Sequence, residues 1–330
     1  MPTFCRHNRL LQNCPICSRE QSIEPRPIVS PGAPRSSGAA ARPSRAATAR
    51  ASTRPAGRAG GGVRVLRLAR GADDGYRSPL VPGLHSSSDA ERLAEELAFA
   101  ARRLRLLSED PPGLYAEVAD PSADIEERSW LAFLIAYLCP LDGEDPFASI
   151  GETRTSWRSG EYPQLDDVLT GPRAAHDPTR GRRTLDAYRA WAARSGSQAA
   201  AFTGEAAWSP QRRFARAFER LALPGFHRDA RFDLLVTLGR LGVYDLTAGS
   251  LQLGGENEVT LAAKRLFGIG DQLLLERRAA ELAAAADLPL EALDVGLDNW
   301  GRGERATLGL AELSEPDPEA LETTRGTLGL

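Results

Sequence analysis

Residues 125–138, Ile-Glu-Glu-Arg-Ser-Trp-Leu-Ala-Phe-Leu-Ile-Ala-Tyr-Leu, constrain the fold more than any other stretch. Asp124 offers an N-cap, Pro140 and Gly143 stop the run, and from Trp130 to Leu138 the sequence is apolar on nearly every side of a helical repeat. A helix of that kind has no face to give to water, so other elements must surround it. Those elements read as helices too. Ser88-Asp89 precede Leu93, Leu97, Ala100, Leu104 and Leu107 at spacings of three and four. Further helices are predicted over 183–194, 209–222, 229–241, 258–267 and 271–286, with Gly or Pro at most junctions. Residues 142–182, rich in Gly, Pro and charge and containing Trp157 and Tyr162, read as a long irregular insertion. Strand-like alternation is scarce and no solenoid repeat occurs. The body, residues 76–330, is expected to be all-α.

Ahead of the body lie two segments of different character. The first seventeen residues hold three of the four cysteines and one histidine. Cys5, His7, Cys14 and Cys17 supply the thiolates and imidazole that a tetrahedral zinc ion takes, so residues 1–20 are expected to form a structural zinc knuckle with no open position for catalysis. Residues 21–75 are dominated by Pro, Gly, Ser, Ala and Arg and predict a disordered linker. Between Gln21 and Arg70 stand ten arginines and one acid, Glu24, so the net charge of -3 hides a basic arm on an acidic body. The arm is either a non-specific grip on a polyanion or a solvated tether. Cys139, inside the apolar run, has no evident disulfide partner, which points to a reducing, cytoplasmic setting. No segment approaches the length of a membrane span, and no apolar signal core opens the chain.

The most informative part of the body is Val259–Leu282, in which two amphipathic helices meet at Gly268-Ile269-Gly270. The glycines permit a left-handed turn and close approach of another backbone, the isoleucine can staple the helices, and the second helix begins with free N–H groups suited to a phosphate. The same pattern also describes an ordinary helix pair joined by a glycine C-cap. About two dozen residues on, Leu288-Pro289-Leu290-Glu291-Ala292-Leu293-Asp294-Val295-Gly296-Leu297-Asp298 carries two acids near a helix start. Leu223-Pro224-Gly225-Phe226-His227-Arg228-Asp229 is a second hairpin-like stretch, with Asp245 behind it.

On these residues the body, over 125–305, resembles the helix-hairpin-helix DNA glycosylase superfamily that includes endonuclease III. Within it, the chain looks most like the branch described as alpha-glutamyl/putrescinyl thymine pyrophosphorylases, associated with hypermodified bases in phage DNA. The resemblance implies a helix-hairpin-helix glycosylase-like fold acting on a modified base, with a double-stranded DNA partner. Gly268, Ile269, Gly270 and Gln272 would contact DNA, and Asp294, with Asp298 as alternative, would be the catalytic aspartate. An acid beneath the deoxyribose stabilises the positive charge that builds as a base leaves. The base must first leave the stack, and Trp300, Trp157 and Tyr137 are the candidate pocket aromatics; each can equally be core.

Family members that also cut the strand carry a lysine where this chain has Gln272, so a lyase is not expected. No cysteine follows Cys139, so neither is a C-terminal iron–sulfur cluster, and no catalytic cofactor is implied. Asp294 is open to the plainer reading of a helix N-cap. The first expectation is a monofunctional DNA glycosylase, plausible in anti-phage defence through the branch resemblance. The alternatives are a pyrophosphate-displacing transferase that makes a hypermodified thymine, and a zinc-containing DNA-binding adaptor without catalysis.

Overall fold

A computed structural model describes residues 71–310 and 315–330. The expected zinc ligands Cys5, His7, Cys14 and Cys17, and the expected linker up to residue 70, lie outside the described residues. Among the described residues there are twelve α-helices and no strand, as the periodicity predicts. They are α1 (Ser87–Glu109), α2 (Leu114–Ala119), α3 (Ile125–Leu138), α4 (Ala148–Thr153), α5 (Gly181–Arg194), α6 (Gln198–Thr203), α7 (Pro210–Arg220), α8 (Arg228–Arg240), α9 (Glu258–Phe267), α10 (Gln272–Ala285), α11 (Ala292–Arg302) and α12 (Pro318–Leu328). None is long and apolar enough to cross a membrane.

The predicted central helix is central. Asp124 caps α3 by accepting the N–H groups of Glu126 and Glu127, and every residue from Arg128 to Leu138 is buried. Helices α2, α6 and α8 pack around it, and Phe133 stacks on Tyr188 of α5 at 3.8 Å between ring centroids. Local side-chain caps fix several other helix starts. Ser197, Ser209, Asn257, Asp271 and Asp317 each accept a backbone N–H from the first turn of the helix they precede, and proline follows the cap in α7 and α12. The start of α1 differs from the Ser88-Asp89 expectation. It begins at Ser87, because Asp74 accepts the N–H and hydroxyl of Ser87 and thereby ends the preceding segment one residue earlier.

A second group of helices is built on α1. Helices α11 and α12 pack against it, α9 packs on α11, and α10 follows α9 across the Gly268–Gly270 bend and packs on it. Helix α1 also touches α8 of the first group. The irregular insertion, residues 142–180, contains one short helix, α4. Its last part is docked on the C-terminal end of α3, where carbonyls have no helical partner. Gly171 N–H donates to the Leu138 and Cys139 carbonyls, and the N–H groups of Ala175 and His176 donate to the Tyr137 carbonyl. This docking drives the side chain of Arg173 inward, where it is 2% exposed.

Gly171 is required there by space. A Cβ on it would lie 2.0 Å from the Pro140 carbonyl oxygen and 2.8 Å from Cys139 Sγ. Gly171→Ala is therefore expected to destabilise the body by about 2 kcal/mol, seen as a lower urea midpoint with an unchanged slope.

Candidate functional site

Two helices each present a pair of carboxylates one turn apart, Asp229 and Asp233 on α8, Asp294 and Asp298 on α11. Like charges at that spacing repel, and all four are buried: Asp229 is 6% exposed, Asp233 8%, Asp294 1% and Asp298 0%. Arg173 lies among them. Its Nε donates to Asp233 at 2.9 Å and its Nη2 to Asp294 at 2.6 Å, while Nη1 is 3.0 Å from Asp298. Arg228, the first residue of α8, adds a second guanidinium, paired through Nη1 with Asp229 at 3.1 Å and with Asp294. Arg302 closes the outer side, its Nε 3.0 Å from both oxygens of Asp298.

The charges in this network hold one another. Burial works against the Arg173 and Arg228 cations, but their surrounding aspartates outweigh it and hold both guanidiniums protonated, with raised pKa values. Burial likewise opposes ionisation of Asp229, and Arg173 and Arg228 overcome it, so its carboxyl lies below the usual carboxylate range. For Asp294 burial prevails over both arginines, and its pKa is raised. Burial pushes the thiol of Cys139, beside the cluster, up to about 12, which disfavours its thiolate.

The side of the network nearest solvent is formed by the start of α8. Exposed His227 donates from Nε2 to the Ala174 carbonyl at 3.1 Å, fastening the α8 N-terminus to the Arg173 segment. On another side, Arg228 Nη2 donates to the Leu251 carbonyl, while Glu276 of α10 accepts the N–H groups of Leu251 and Leu253. Burial raises the Glu276 pKa. Among the described residues no group of three or more His, Cys, Asp and Glu side chains is arranged to hold a metal ion.

The residues expected to form the site are thus dispersed. Asp294 is not the N-cap of α11, a position held by Glu291. Nor does it face an open pocket, for both its oxygens, like both of Asp298, are engaged by guanidinium groups. Trp300 and Tyr137 are closed to a flipped base. Trp300 is fully buried, donates its indole N–H to the Asp89 carbonyl and is covered by the Arg265 guanidinium at 3.8 Å. Tyr137 is also fully buried, and its hydroxyl is 3.0 Å from His176 Nδ1. Trp157 alone of the three keeps exposed surface, lining an open groove of about 580 Å³ with Arg158, Arg189 and Ser197.

At the other bend, Gly268 ends α9 with φ 64°, Ile269 is half-buried against the core, and Gly268, Gly270 and Gln272 are exposed. The backbone that approaches them is the chain's own: Gly83 N–H donates to the Leu266 carbonyl at 2.9 Å. With Lys264, Arg265, Asp73 and Asp89 these residues line a groove of about 700 Å³. Asp245, behind the second hairpin-like stretch, is on the surface and paired with Arg213 at 2.6 Å. Sequence reasoning missed Arg173, Arg228, Asp229, Asp233 and Arg302. A signal was present for Asp294 and Asp298, two acids one turn apart among mainly apolar residues that demand partners, and was weaker for Asp229 and Asp233, whose helix also carries three arginines. Arg173, in an irregular segment, carries no such signal.

Residues 173–303 match the family described as alpha-glutamyl/putrescinyl thymine pyrophosphorylase clade 3. No curated protein and no solved structure matches the chain.

The network predicts an asymmetry between its members. Arg173→Met leaves three carboxylates without their common partner and should cost about 4 kcal/mol. Asp294→Asn removes one of the surplus acids but turns an amide NH2 toward one guanidinium, and should cost less than Arg173→Met, about 2 kcal/mol at neutral pH. Because the native pKa of Asp294 lies above its unfolded value, ionising it opposes folding only as pH rises from that unfolded value through the native one. The stability of Asp294→Asn relative to wild type should therefore improve as pH rises from about 4 to 7, followed by urea denaturation across that range.

Proposed function

We propose that this chain is a transferase that builds a hypermodified thymine in DNA, exchanging pyrophosphate for an amine on the 5-methylene group of an activated pyrimidine. The observation that carries this reading is the coincidence of two boundaries. The family match begins at Arg173 and ends at Gly303, and within it fall all the guanidiniums and carboxylates of the buried network, Arg173, Arg228, Asp229, Asp233, Asp294, Asp298 and Arg302. A glycosylase would instead need an acid with a free oxygen beneath the sugar, and the engagement of Asp294 and Asp298 argues against hydrolysis.

In the proposed exchange the methylene carbon–oxygen bond breaks, pyrophosphate leaves with the bonding electrons, and a carbon–nitrogen bond forms to the amine, which gives up one proton. Asp229 and Asp233, the network acids that reach solvent, suit a cationic amine. Asp229, held ionised by its arginines, would orient the ammonium form, and Asp233 would be the carboxylate through which the proton departs. Arg173, Arg228, Asp294 and Asp298 would act as positioning residues that keep this pair in place.

The test is release of pyrophosphate from DNA carrying 5-(diphosphooxymethyl)uracil, with and without putrescine or glutamate. Amine-dependent release, accompanied by DNA that gains the mass of the amine, is expected. Asp233→Asn, whose amide oxygen can still accept from Arg173 Nε, should slow that release by at least about 100-fold in protein that circular dichroism shows to be folded at the assay temperature. Free base and alkali-labile sites without pyrophosphate would return the protein to hydrolysis and overturn the proposal.

A further inference from the structure

The acidity of the body is not evenly spread. Residues 71–330 carry 28 basic and 42 acidic side chains, yet residues 180–231 alone hold eleven arginines against four acids. This stretch comprises α5, α6, α7 and the first turn of α8, and consecutive helices in it pack on one another. Most of its arginines point outward. Arg180, Arg182 and Arg183 stand exposed at the start of α5, and Arg212, Arg216 and Arg220 form an exposed ridge along α7 at one-turn spacing. Arg212 and Arg220 flank the Trp208 ring at 5.4 and 5.7 Å, which fixes both ends of the ridge to one indole. Arg183, Arg212 and Arg220 have no carboxylate partner among the described residues.

The two sets of arginines converge on one place. Thr184, next to Arg183, donates its hydroxyl to the Pro224 carbonyl at 2.8 Å, and a Cβ on Gly225 would meet that hydroxyl at 2.4 Å. The N-terminus of α5 therefore abuts the 221–227 turn that leaves the C-terminus of α7. That turn leads directly into His227, Arg228 and Asp229, the solvent side of the buried network. The 268–270 bend has the opposite surroundings. Its groove balances Lys264 and Arg265 with Asp73 and Asp89, Asp271 occupies the start of α10, and Leu261, Leu273 and Leu274 lie exposed beside it.

We infer that the arginine collar formed by α5 and α7 around the 221–227 turn is the surface that grips the phosphate backbone of DNA, and that the 268–270 bend is not. The choice of DNA over other polyanions rests on the exchange reaction proposed above; the location of the surface rests on the charge and packing just described. The rest of the described body is on balance acidic and disfavours a duplex, so the collar also sets which face of the body approaches. A backbone contact made by each of six arginines contributes about 0.9 to the slope of log affinity against log salt.

The experiment measures binding of the full chain to a fluorescent 20-base-pair duplex at several salt concentrations. Arg183→Ala/Arg212→Ala/Arg220→Ala should weaken binding and reduce the magnitude of the salt slope by about 3. These exposed side chains leave the fold intact, which circular dichroism would verify. An unchanged slope in the triple variant, or a reduction produced instead by Lys264→Ala, would overturn the collar. So would tighter binding to an RNA duplex of the same sequence. Amine-dependent pyrophosphate release, assayed in parallel at saturating DNA, separates the two proposals: release that survives while the triple variant binds normally removes the collar and leaves the reaction standing.

Discussion

One guanidinium, that of Arg173, connects charge from two helices that belong to different parts of the body. Its planar fork engages Asp233 of α8 and both Asp294 and Asp298 of α11. A lysine's three donors share one nitrogen, whereas Arg173 reaches the three carboxylates from three separate nitrogens. The helices depend on this arrangement because each carries a like-charged pair one turn apart, unfavourable for either helix alone. Brought together around Arg173 and Arg228, the repelling pairs become acceptors, and any slip of α8 against α11 would strand buried carboxylates. Breaking such a network is costly even where its net contribution to stability is small. Three arginines still face four aspartates. Burial raises the pKa of Asp294, and the neighbouring Asp233 and Asp229 add to the rise.

The helical body was largely legible in the chain. Helix α3 follows from its apolar run and Asp124, and α9 begins and ends at its expected residues because Asn257 caps it and Gly268 adopts a left-handed turn. The six-residue helices α2, α4 and α6 are shorter than two helical turns, too short for periodicity to register. The candidate site was legible in part. Spacing from the 268–270 bend drew attention to Asp294, but its surroundings are set by Arg173, 121 residues earlier in the chain. No local pattern relates those two positions, since the link is made by the docking of residues 171–176 on the end of α3. Trp300 and Tyr137 illustrate the same gap: aromatic type marks a stacking surface, and only packing decides whether a nucleobase or a core fills it.

Net charge misled for a related reason. A sum of -3 averages a basic N-terminal stretch with an acidic body, and the body in turn averages the α5–α7 arginines with acids elsewhere. A polyanion responds to the local field over roughly a Debye length, about 10 Å at moderate salt, and not to the total. On that scale the α7 ridge is basic although the whole body is acidic.

The position of the network fits the proposed exchange more than a hydrolysis. An activated methylene is attacked by whatever nucleophile is beside it, and water is always present at higher concentration than an amine. Selection of the amine therefore depends on limiting water at the reacting carbon while holding the ammonium nearby. In the proposed exchange, a carboxylate pair that reaches solvent through a few per cent of its surface, backed by the guanidiniums of Arg173 and Arg228, would meet both demands. It would attract a cation and offer bulk water little polar surface. In that reading Asp294 and Asp298 lie behind the pair as positioning acids that set where Arg173 and Arg228 point.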